Sequence, residues 1–261
     1  MKKIILSACA LSAMFLTSCS NEVDMFETIG TPKGTLNVDC IYDTEMTRAT
    51  ATDSWSWTIK AGNTELKQGD NHIAAGFYTV KASNYVDLNA ALAAKEGWGD
   101  AFYSGSLENV EVTKGESKTV TINCGKAKNA RLKAAFNLIP NFTNVELVAD
   151  VTTTDPAYTG RDLTFTPDNA SSKLAYFNAS STIPCKLSYY YNSAYKENTF
   201  NFTLSGAATE NVINVTTNNN GTITINITYD NAFDEGKTTS ITIDAATGEK
   251  KDEVVTTPSA E

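Results

Sequence analysis

The chain has 261 residues, with 21 basic and 30 acidic side chains and a formal net charge of −9. A surface this acidic repels phosphate backbones, so we expect no nucleic-acid partner. The single histidine, His72, lies beside a turn, which is typical of a solvated residue and argues against a catalytic triad. Because no phosphate-binding loop, nucleophile elbow or zinc-ligand spacing occurs, the sequence predicts no enzyme, no metal and no cofactor.

The N-terminus has the pattern of a bacterial lipoprotein signal peptide. Lys2 and Lys3 precede a short apolar run that ends in "LTSC", with small residues before Cys19. We predict a signal peptide over residues 1–18 and acylation of Cys19; the alternative is an ordinary secretory signal with a chance cysteine. Several acyl chains anchor a protein to a membrane without a spanning helix. We therefore expect a lipid-anchored protein of the outer membrane, displayed on the cell surface.

Short alternating segments dominate the chain after a polar tether over residues 19–33. Runs such as "TLNVDCIY", "GFYTVKAS" and "SKTVTINCG" alternate apolar and polar residues and are separated by turn residues. This pattern predicts an all-β protein, a sandwich or barrel in which each strand buries one face. Trp55 and Trp57 share one strand face and are predicted to lie in the core.

One segment breaks the two-residue period. In "DLNAALAAKEGWGDAF", Leu88, Ala91 and Leu92 recur at helical spacing. Asp87 or Asn84 is available as the N-cap, and Gly97 marks the end. We predict a short helix that is inserted in a connection and packs over a sheet edge.

The β pattern resumes after the junction segment "CGKAKNARLKAAF". We predict two sandwich domains, at residues 34–127 and 128–248, and a flexible tail at 249–261. The run from Asn218 to Gly221 lies between two alternating segments, and Asn-Gly favours a tight hairpin there.

The remaining polar features point to structural roles. Cys40 and Cys124 are in phase with apolar strand residues and are interpreted as small buried hydrophobes, although a Cys40–Cys124 disulfide is an alternative. The acidic segment from Asp230 to Lys237 fails as a calcium loop, because Ala232 takes the third position and Ile241 the twelfth. It is interpreted as an acidic turn.

Aromatic residues are the better candidates for ligand binding. Trp98, Phe102 and Tyr103 lie on the irregular segment "GWGDAFYSG", where they either stack on sugar rings or cover a sheet edge. Tyr190 faces away from its neighbours in "LSYYYNSAY" and is the fourth candidate. Through these residues, a glycan or a host protein is a possible partner.

The order of several segments resembles that of a known family. A lipobox is followed by "GTLNVDCIYDTEMTRA", "WSWTIK", "AAGFYTVKAS", the long "FYSGSLENVEVTKGESKTVTINCGKAKNARLKAAF" segment and "GTITINITYD". This order resembles the fimbrillin-like surface lipoproteins of Bacteroides-type bacteria, in a branch known only as a domain of unknown function. The resemblance covers roughly residues 30–250.

The resemblance implies a fold and an assembly mechanism. In fimbrillins, two transthyretin-like or immunoglobulin-like β-sandwiches are exported to the outer membrane, and an arginine-specific protease cuts after the first strand. Here Arg48 and Ala49 occupy the matching position, and the strand to be lost is Thr35–Tyr42. The open groove then accepts the C-terminal strand of a neighbouring fimbrial subunit.

The C-terminus departs from that family pattern. A donor strand needs alternating bulky apolar residues, but "VVTTPSAE" has only Val254 and Val255 before Pro258. We therefore expect a structural or adhesive surface lipoprotein, resembling a minor or anchor subunit, in which Arg48 is cut or lies in an uncut loop. The alternatives are a glycan- or host-protein-binding module without polymerisation, and a hydrolase with two dispersed carboxylates.

Overall fold

The computed structural model describes residues 31–43, 57–154, 159–230 and 238–256. Several predicted features lie outside these residues: the lipidation site Cys19, the cleavage site Arg48–Ala49, Trp55, and residues 231–237 of the acidic turn. Within the described part of the chain, no helix is long and apolar enough to span a membrane.

The first half of the chain forms two facing sheets. Its elements are β1 (Lys33–Ile41), β2 (Thr58–Ala61), β3 (Thr64–Leu66), β4 (Gly69–Ala74), β5 (Gly76–Ser83), α1 (Leu88–Ala93), β6 (Ser104–Val112) and β7 (Ser117–Asn123). One sheet has the strand order β4-β1-β7 and the other β3-β2-β5-β6. Leu36, Ile59 and Val80 are buried between the two sheets, as the alternating pattern predicts.

The second half forms another pair of sheets around a larger core. Its strands are β8 (Asn129–Asn137), β9 (Phe142–Ala149), β10 (Leu163–Phe165), β11 (Ala175–Asn178), β12 (Thr182–Tyr191), β13 (Ala194–Thr203), β14 (Glu210–Thr217), β15 (Thr222–Asp230), β16 (Thr238–Asp244) and β17 (Lys250–Thr256). The sheet orders are β10-β9-β12-β13 and β11-β8-β14-β15-β16-β17. The predicted class, two tandem β-sandwiches with one short inserted helix, is confirmed.

The second sandwich repeats the topology of the first. Adding seven to each strand number converts β4-β1-β7 into β11-β8-β14 and β3-β2-β5-β6 into β10-β9-β12-β13. The directions agree as well, because β1 is parallel to β7 and β8 is parallel to β14. In the second sandwich β15, β16 and β17 continue the sheet beyond β14, whereas among the described residues β7 is an edge strand. Each sandwich has its own core, and the division at residues 34–127 and 128–248 stays a prediction.

Two local predictions are confirmed in detail. Asp87 caps α1, because its Oδ1 accepts a hydrogen bond from the Ala90 N–H at 2.8 Å. The hairpin between β14 and β15 turns through Asn218–Gly221, and Gly221 has a φ of 77°.

The prediction of a flexible tail from residue 249 is wrong for residues 250–256. Lys250–Thr256 form β17, which pairs antiparallel with β16. Every residue of β17 is exposed, because the strand extends the sheet beyond the core. The backbone of β17 is hydrogen-bonded to β16, but none of its side chains is buried. The strand therefore has no alternating apolar pattern by which it could be predicted.

Candidate functional site

The first strand, β1, is the central strand of its sheet. It pairs antiparallel with β4, from Lys33 opposite Ala74 to Val38 opposite Gly69, and parallel with β7, from Thr35 to Ile41. Both backbone edges of β1 are therefore hydrogen-bonded. Leu36 and Val38 are completely buried beneath it, so each contributes about 1.5–3 kcal/mol of hydrophobic stabilisation.

Removal of β1 would open a groove with a defined shape. The strands β4 and β7 would each expose one backbone edge, and the positions of Leu36 and Val38 would become apolar pockets. The position of Gly34 admits only glycine, because a Cβ atom there would lie 2.2 Å from the Thr113 carbonyl oxygen. A strand in the place of β1 would therefore need glycine at this position, followed by two alternating apolar residues.

The end of β1 is held by contacts just before the predicted cleavage site. The Asp43 N–H donates to the Gly125 carbonyl oxygen at 2.9 Å. The ring of Tyr42 lies 5.1 Å from that of Tyr103 and 5.7 Å from that of Trp57. Trp57 itself packs against the first core, as predicted.

The C-terminal strands differ in their suitability as donors. Ile241 and Ile243 of β16 are completely buried in the second core, so β16 is a resident strand. β17 is paired only with β16 among the described strands. Its two apolar residues, Val254 and Val255, are adjacent and about half exposed, so they point to opposite faces and do not reproduce the pattern of β1.

The aromatic segment between α1 and β6 forms part of the junction between the sandwiches. The ring of Trp98 meets that of Phe165 edge-to-face, with the centroids 5.1 Å apart, and the ammonium of Lys173 lies 4.8 Å from the Trp98 ring centroid. The Trp98 carbonyl accepts a hydrogen bond from the Tyr176 N–H at 2.8 Å. Trp98 therefore packs against the second core, and its covering role is favoured over sugar stacking.

The other two candidates on this segment have opposite environments. Tyr103 is completely buried in the first core, so the prediction that it contacts a ligand is wrong. Phe102 is partly exposed and lines a cleft on the outer face of the β3-β2-β5-β6 sheet. The segment has this shape because two buried amides hold its backbone: the Tyr103 N–H donates to Asn84 Oδ1 at 2.8 Å, and the Phe102 N–H donates to Asn129 Oδ1 at 3.0 Å.

Arg161 of the second sandwich stabilises the same junction, and no local sequence pattern predicts this role. Its Nε donates to Asp150 Oδ2 at 2.7 Å, and its Nη1 donates to the Gly97 carbonyl oxygen at 2.8 Å. Its Nη2 donates to the Tyr176 carbonyl oxygen at 3.0 Å, and its guanidinium carbon lies 4.3 Å from the Phe177 ring centroid. One planar cation thus links α1's connection to β11.

Tyr190, the fourth aromatic candidate, lies at the surface of the second sandwich. It is directly opposite Tyr195 in the β12–β13 pairing, with the two ring centroids 5.6 Å apart. Tyr190 is 37% and Tyr195 51% exposed. The Tyr195 hydroxyl donates to Glu197 Oε2 at 2.8 Å, and this hydrogen bond raises the pKa of Tyr195.

The three described cysteines are free thiols. Burial, followed by the charge of nearby Cys124, raises the pKa of Cys40 to about 12, and burial raises that of Cys124 to about 11. Their thiolate fractions at neutral pH are therefore very small. Cys124 is buried, as its interpretation as a small buried hydrophobe predicts, whereas Cys40 is only partly buried.

His72 makes a structural contact, and the described acidic side chains do not cluster with it as metal ligands. His72 Nδ1 lies 3.0 Å from the Thr35 hydroxyl across the β1–β4 pair, so the imidazole is a cross-strand contact. Among the residues that the structure describes, no group of three or more histidine, cysteine or acidic side chains is arranged to hold a metal ion.

Comparisons with known proteins place the chain in a family. Among solved structures, a fimbrial assembly protein from Parabacteroides distasonis is 10% identical, covers 86% of this chain and 98% of its own, and has a TM-score of 0.38. A candidate cell adhesion protein from Bacteroides ovatus is 11% identical, covers 77% of this chain and 96% of its own, and has a TM-score of 0.37. No curated protein matches significantly. The model of the domain of unknown function DUF4493 matches residues 27–258, nearly the whole chain, and the protein therefore belongs to the DUF4493 family.

Proposed function

We propose that the protein is a lipid-anchored structural or adhesive subunit of a cell-surface assembly, which becomes able to accept a strand when β1 is removed. The observation that carries this proposal is the central position of β1, paired on both edges and sealed into the core by Leu36 and Val38. In this proposal Cys19 carries the acyl chains, and a cut at Arg48–Ala49 releases β1 together with the anchor segment.

The position of β1 in the chain supports its release. β1 precedes Arg48, and in the structure it is joined to β4 and β7 by hydrogen bonds and packing, with its cysteine unbridged. A cut at Arg48 would leave the strand without a covalent link to the rest of the sandwich. An extended segment from another subunit would then replace its backbone partners by β-augmentation.

The donor strand is expected to come from a different subunit. The groove requires glycine at the position of Gly34 and apolar side chains at those of Leu36 and Val38. Because β17 reads "KKDEVVT" and is exposed throughout, it does not supply that pattern. The protein would therefore accept a strand without donating a matching one, which is the behaviour of an anchor or minor subunit.

Limited proteolysis of the folded protein tests the release step. The chain has three arginines. Arg131 is only 7% exposed within β8, and the guanidinium of Arg161 is held by Asp150 and three carbonyl groups. An arginine-specific protease should therefore cut the native protein at Arg48 alone, which mass spectrometry would report as a fragment beginning at Ala49. The Arg48→Lys variant keeps the charge, and it should resist the protease.

Strand acceptance is then tested on the cut protein with a labelled peptide that copies residues 33–43. We expect the peptide to exchange into the cut protein but not into the uncut protein. A peptide with Leu36→Asp and Val38→Asp should fail, because two charges would enter apolar pockets. Equal uptake by cut and uncut protein, or equal uptake of both peptides, would show that β1 is not a replaceable strand.

A further inference from the structure

The outer face of the β3-β2-β5-β6 sheet carries a cleft that strand exchange does not use. The cleft has a volume of about 1100 Å³, and the outward side chains of β2, β5 and β6 form its floor. Val86 of the connection before α1 and Leu88 at the start of α1 line it, as does Phe102 from the segment before β6. It lies on the face of the sheet opposite the first core and away from β1.

Two lysines lie side by side on this floor. Lys60 of β2 is directly opposite Lys81 of β5, and Lys128 lines the cleft as well. Like charges that face each other across a strand pair are destabilising, so the pairing of Lys60 with Lys81 does not itself stabilise the sheet. On its other side Lys60 is directly opposite Glu65 of β3, and the two charged groups lie 4.0 Å apart as an exposed ion pair, which is weak. Within the described part of the chain, no ion pair involves Lys81 or Lys128.

Neither carboxylate that lines the cleft, Asp87 or Glu108, makes an ion pair with a lysine of the described residues. Asp87 Oδ1 already accepts the capping hydrogen bond from the Ala90 N–H at the start of α1. Glu108 is on β6, beyond Ser106, which is the residue opposite Lys81. With Glu65 beside Lys60, three lysines and three carboxylates surround the cleft, so its charges balance although the chain has a formal net charge of −9. The one ion pair among the described residues of the cleft, Lys60–Glu65, is exposed and weak, so the ammonium groups remain available to an anionic ligand.

The rest of the lining fits the hydroxyl groups of a sugar. Thr58, Ser83 and Ser104 form one row across the three strands, and Ser106 continues the lysine row. Each hydroxyl both donates and accepts hydrogen bonds, as sugar hydroxyls do. The partly exposed ring of Phe102 offers an apolar face to the C–H side of a pyranose ring. Its backbone is fixed by hydrogen bonds with Asn129 Oδ1 and with the Lys128 N–H.

We propose that this cleft binds an acidic oligosaccharide, with Lys60 and Lys81 paired to its carboxylate or sulfate groups and Phe102 against a sugar ring. A peptide fits less well, because extended peptides recognise the free backbone of a sheet edge. The floor of this cleft is a sheet face whose backbone is already paired between β2, β5 and β6. The site is independent of β1 and of any cut at Arg48.

Binding is tested by calorimetry on the full mature chain with two acidic probes, hexagalacturonate and a heparin-derived hexasaccharide. At least one acidic probe should bind, and neutral maltohexaose should bind at least about tenfold more weakly. Raising the salt to about 1 M, where the Debye length is about 3 Å, should weaken the acidic interaction. Absence of binding by both acidic probes, or equal binding of maltohexaose or polyglutamate, would overturn the proposal.

Matched variants locate the site. The double variant Lys60→Gln, Lys81→Gln should bind the acidic probe about tenfold more weakly, because each lost charge-assisted hydrogen bond lowers affinity. The control variant Lys114→Gln, Lys118→Gln removes the same charge from exposed positions in the β6–β7 turn and on β7, outside the cleft, and should bind as the wild type does. Thermal unfolding should show both variants folded, since all four side chains are exposed. Equal weakening in both variants would place the ligand elsewhere.

Discussion

Replacing Arg161 with alanine should loosen the junction between the two sandwiches. Arg161 binds Asp150 and the carbonyl groups of Gly97 and Tyr176, and its side chain is only 23% exposed. The substitution would remove these charge-assisted hydrogen bonds at once and leave the Gly97 and Tyr176 carbonyl groups without this donor. Both carbonyls belong to segments that also hold Trp98 in place.

The expected cost is about 3 kcal/mol. A hydrogen bond to a charged group is worth about 1.5–3 kcal/mol, and breaking a well-buried ion pair by removing one partner costs about 3–5 kcal/mol. The lower end applies here, because both partners are partly exposed, Arg161 at 23% and Asp150 at 14%. Lysine should recover only part of the loss, since an ammonium cannot reproduce the planar fork.

Urea unfolding and amide hydrogen exchange would measure the effect. We expect the Arg161→Ala variant to unfold at lower urea and to lose protection at the Tyr176 amide, which donates to the Trp98 carbonyl at 2.8 Å. Lys114→Ala, at an exposed position in the turn between β6 and β7, serves as the control and should change little. A loss below about 1 kcal/mol for Arg161→Ala, with Tyr176 still protected, would refute the reasoning.

Three further predictions concern an ion pair, a glycine and the thiols. Burial alone would raise the pKa of Glu210, but the hydrogen bond from Lys133 and the charges of Arg131 and Lys133 outweigh it and lower the pKa. The ionised carboxylate therefore stabilises the folded protein at pH 7, and this stabilisation is lost as the pH falls through the folded pKa. Glu210→Gln should therefore unfold at lower urea than wild type at pH 7, and a gap that does not narrow between pH 7 and about pH 3 would contradict this. Gly34→Val should lower the melting temperature by several degrees, because the valine Cβ would overlap the Thr113 carbonyl oxygen. An unchanged melting curve would show that position 34 has room for a side chain. Iodoacetamide should alkylate Cys40 and Cys124 slowly at neutral pH in the native protein, since their pKa values are raised to about 12 and about 11, whereas rapid labelling by mass spectrometry would contradict the buried-thiol interpretation.

Local patterns in the sequence predicted much of the fold. Alternation of apolar and polar residues predicted the strands, because a strand of a sandwich buries every second side chain. Helical spacing and a capping aspartate predicted α1, and Asn-Gly predicted the β14–β15 hairpin. Each of these signals lies within a few residues of the element that it specifies.

The candidate sites depended on contacts between distant segments. Trp98 is partly covered because Phe165 and Tyr176 reach it from the second sandwich, and Arg161 is a junction residue because Asp150 and Gly97 come to it. The Lys60–Lys81 pair exists only because β2 and β5 pair in one register. A shift of one residue in that register would separate the two lysines.

The sequence by itself determined the class of fold, the positions of most strands, the inserted helix and the family resemblance, because these follow from local periodicity and from short motifs. Only the tertiary structure decided that β1 lies between β4 and β7, that β17 extends the second sheet, and that Tyr103 is buried while Phe102 lines a cleft. Strand order and register bring together residues that are far apart in the chain, and neither is encoded in the alternation of any single strand.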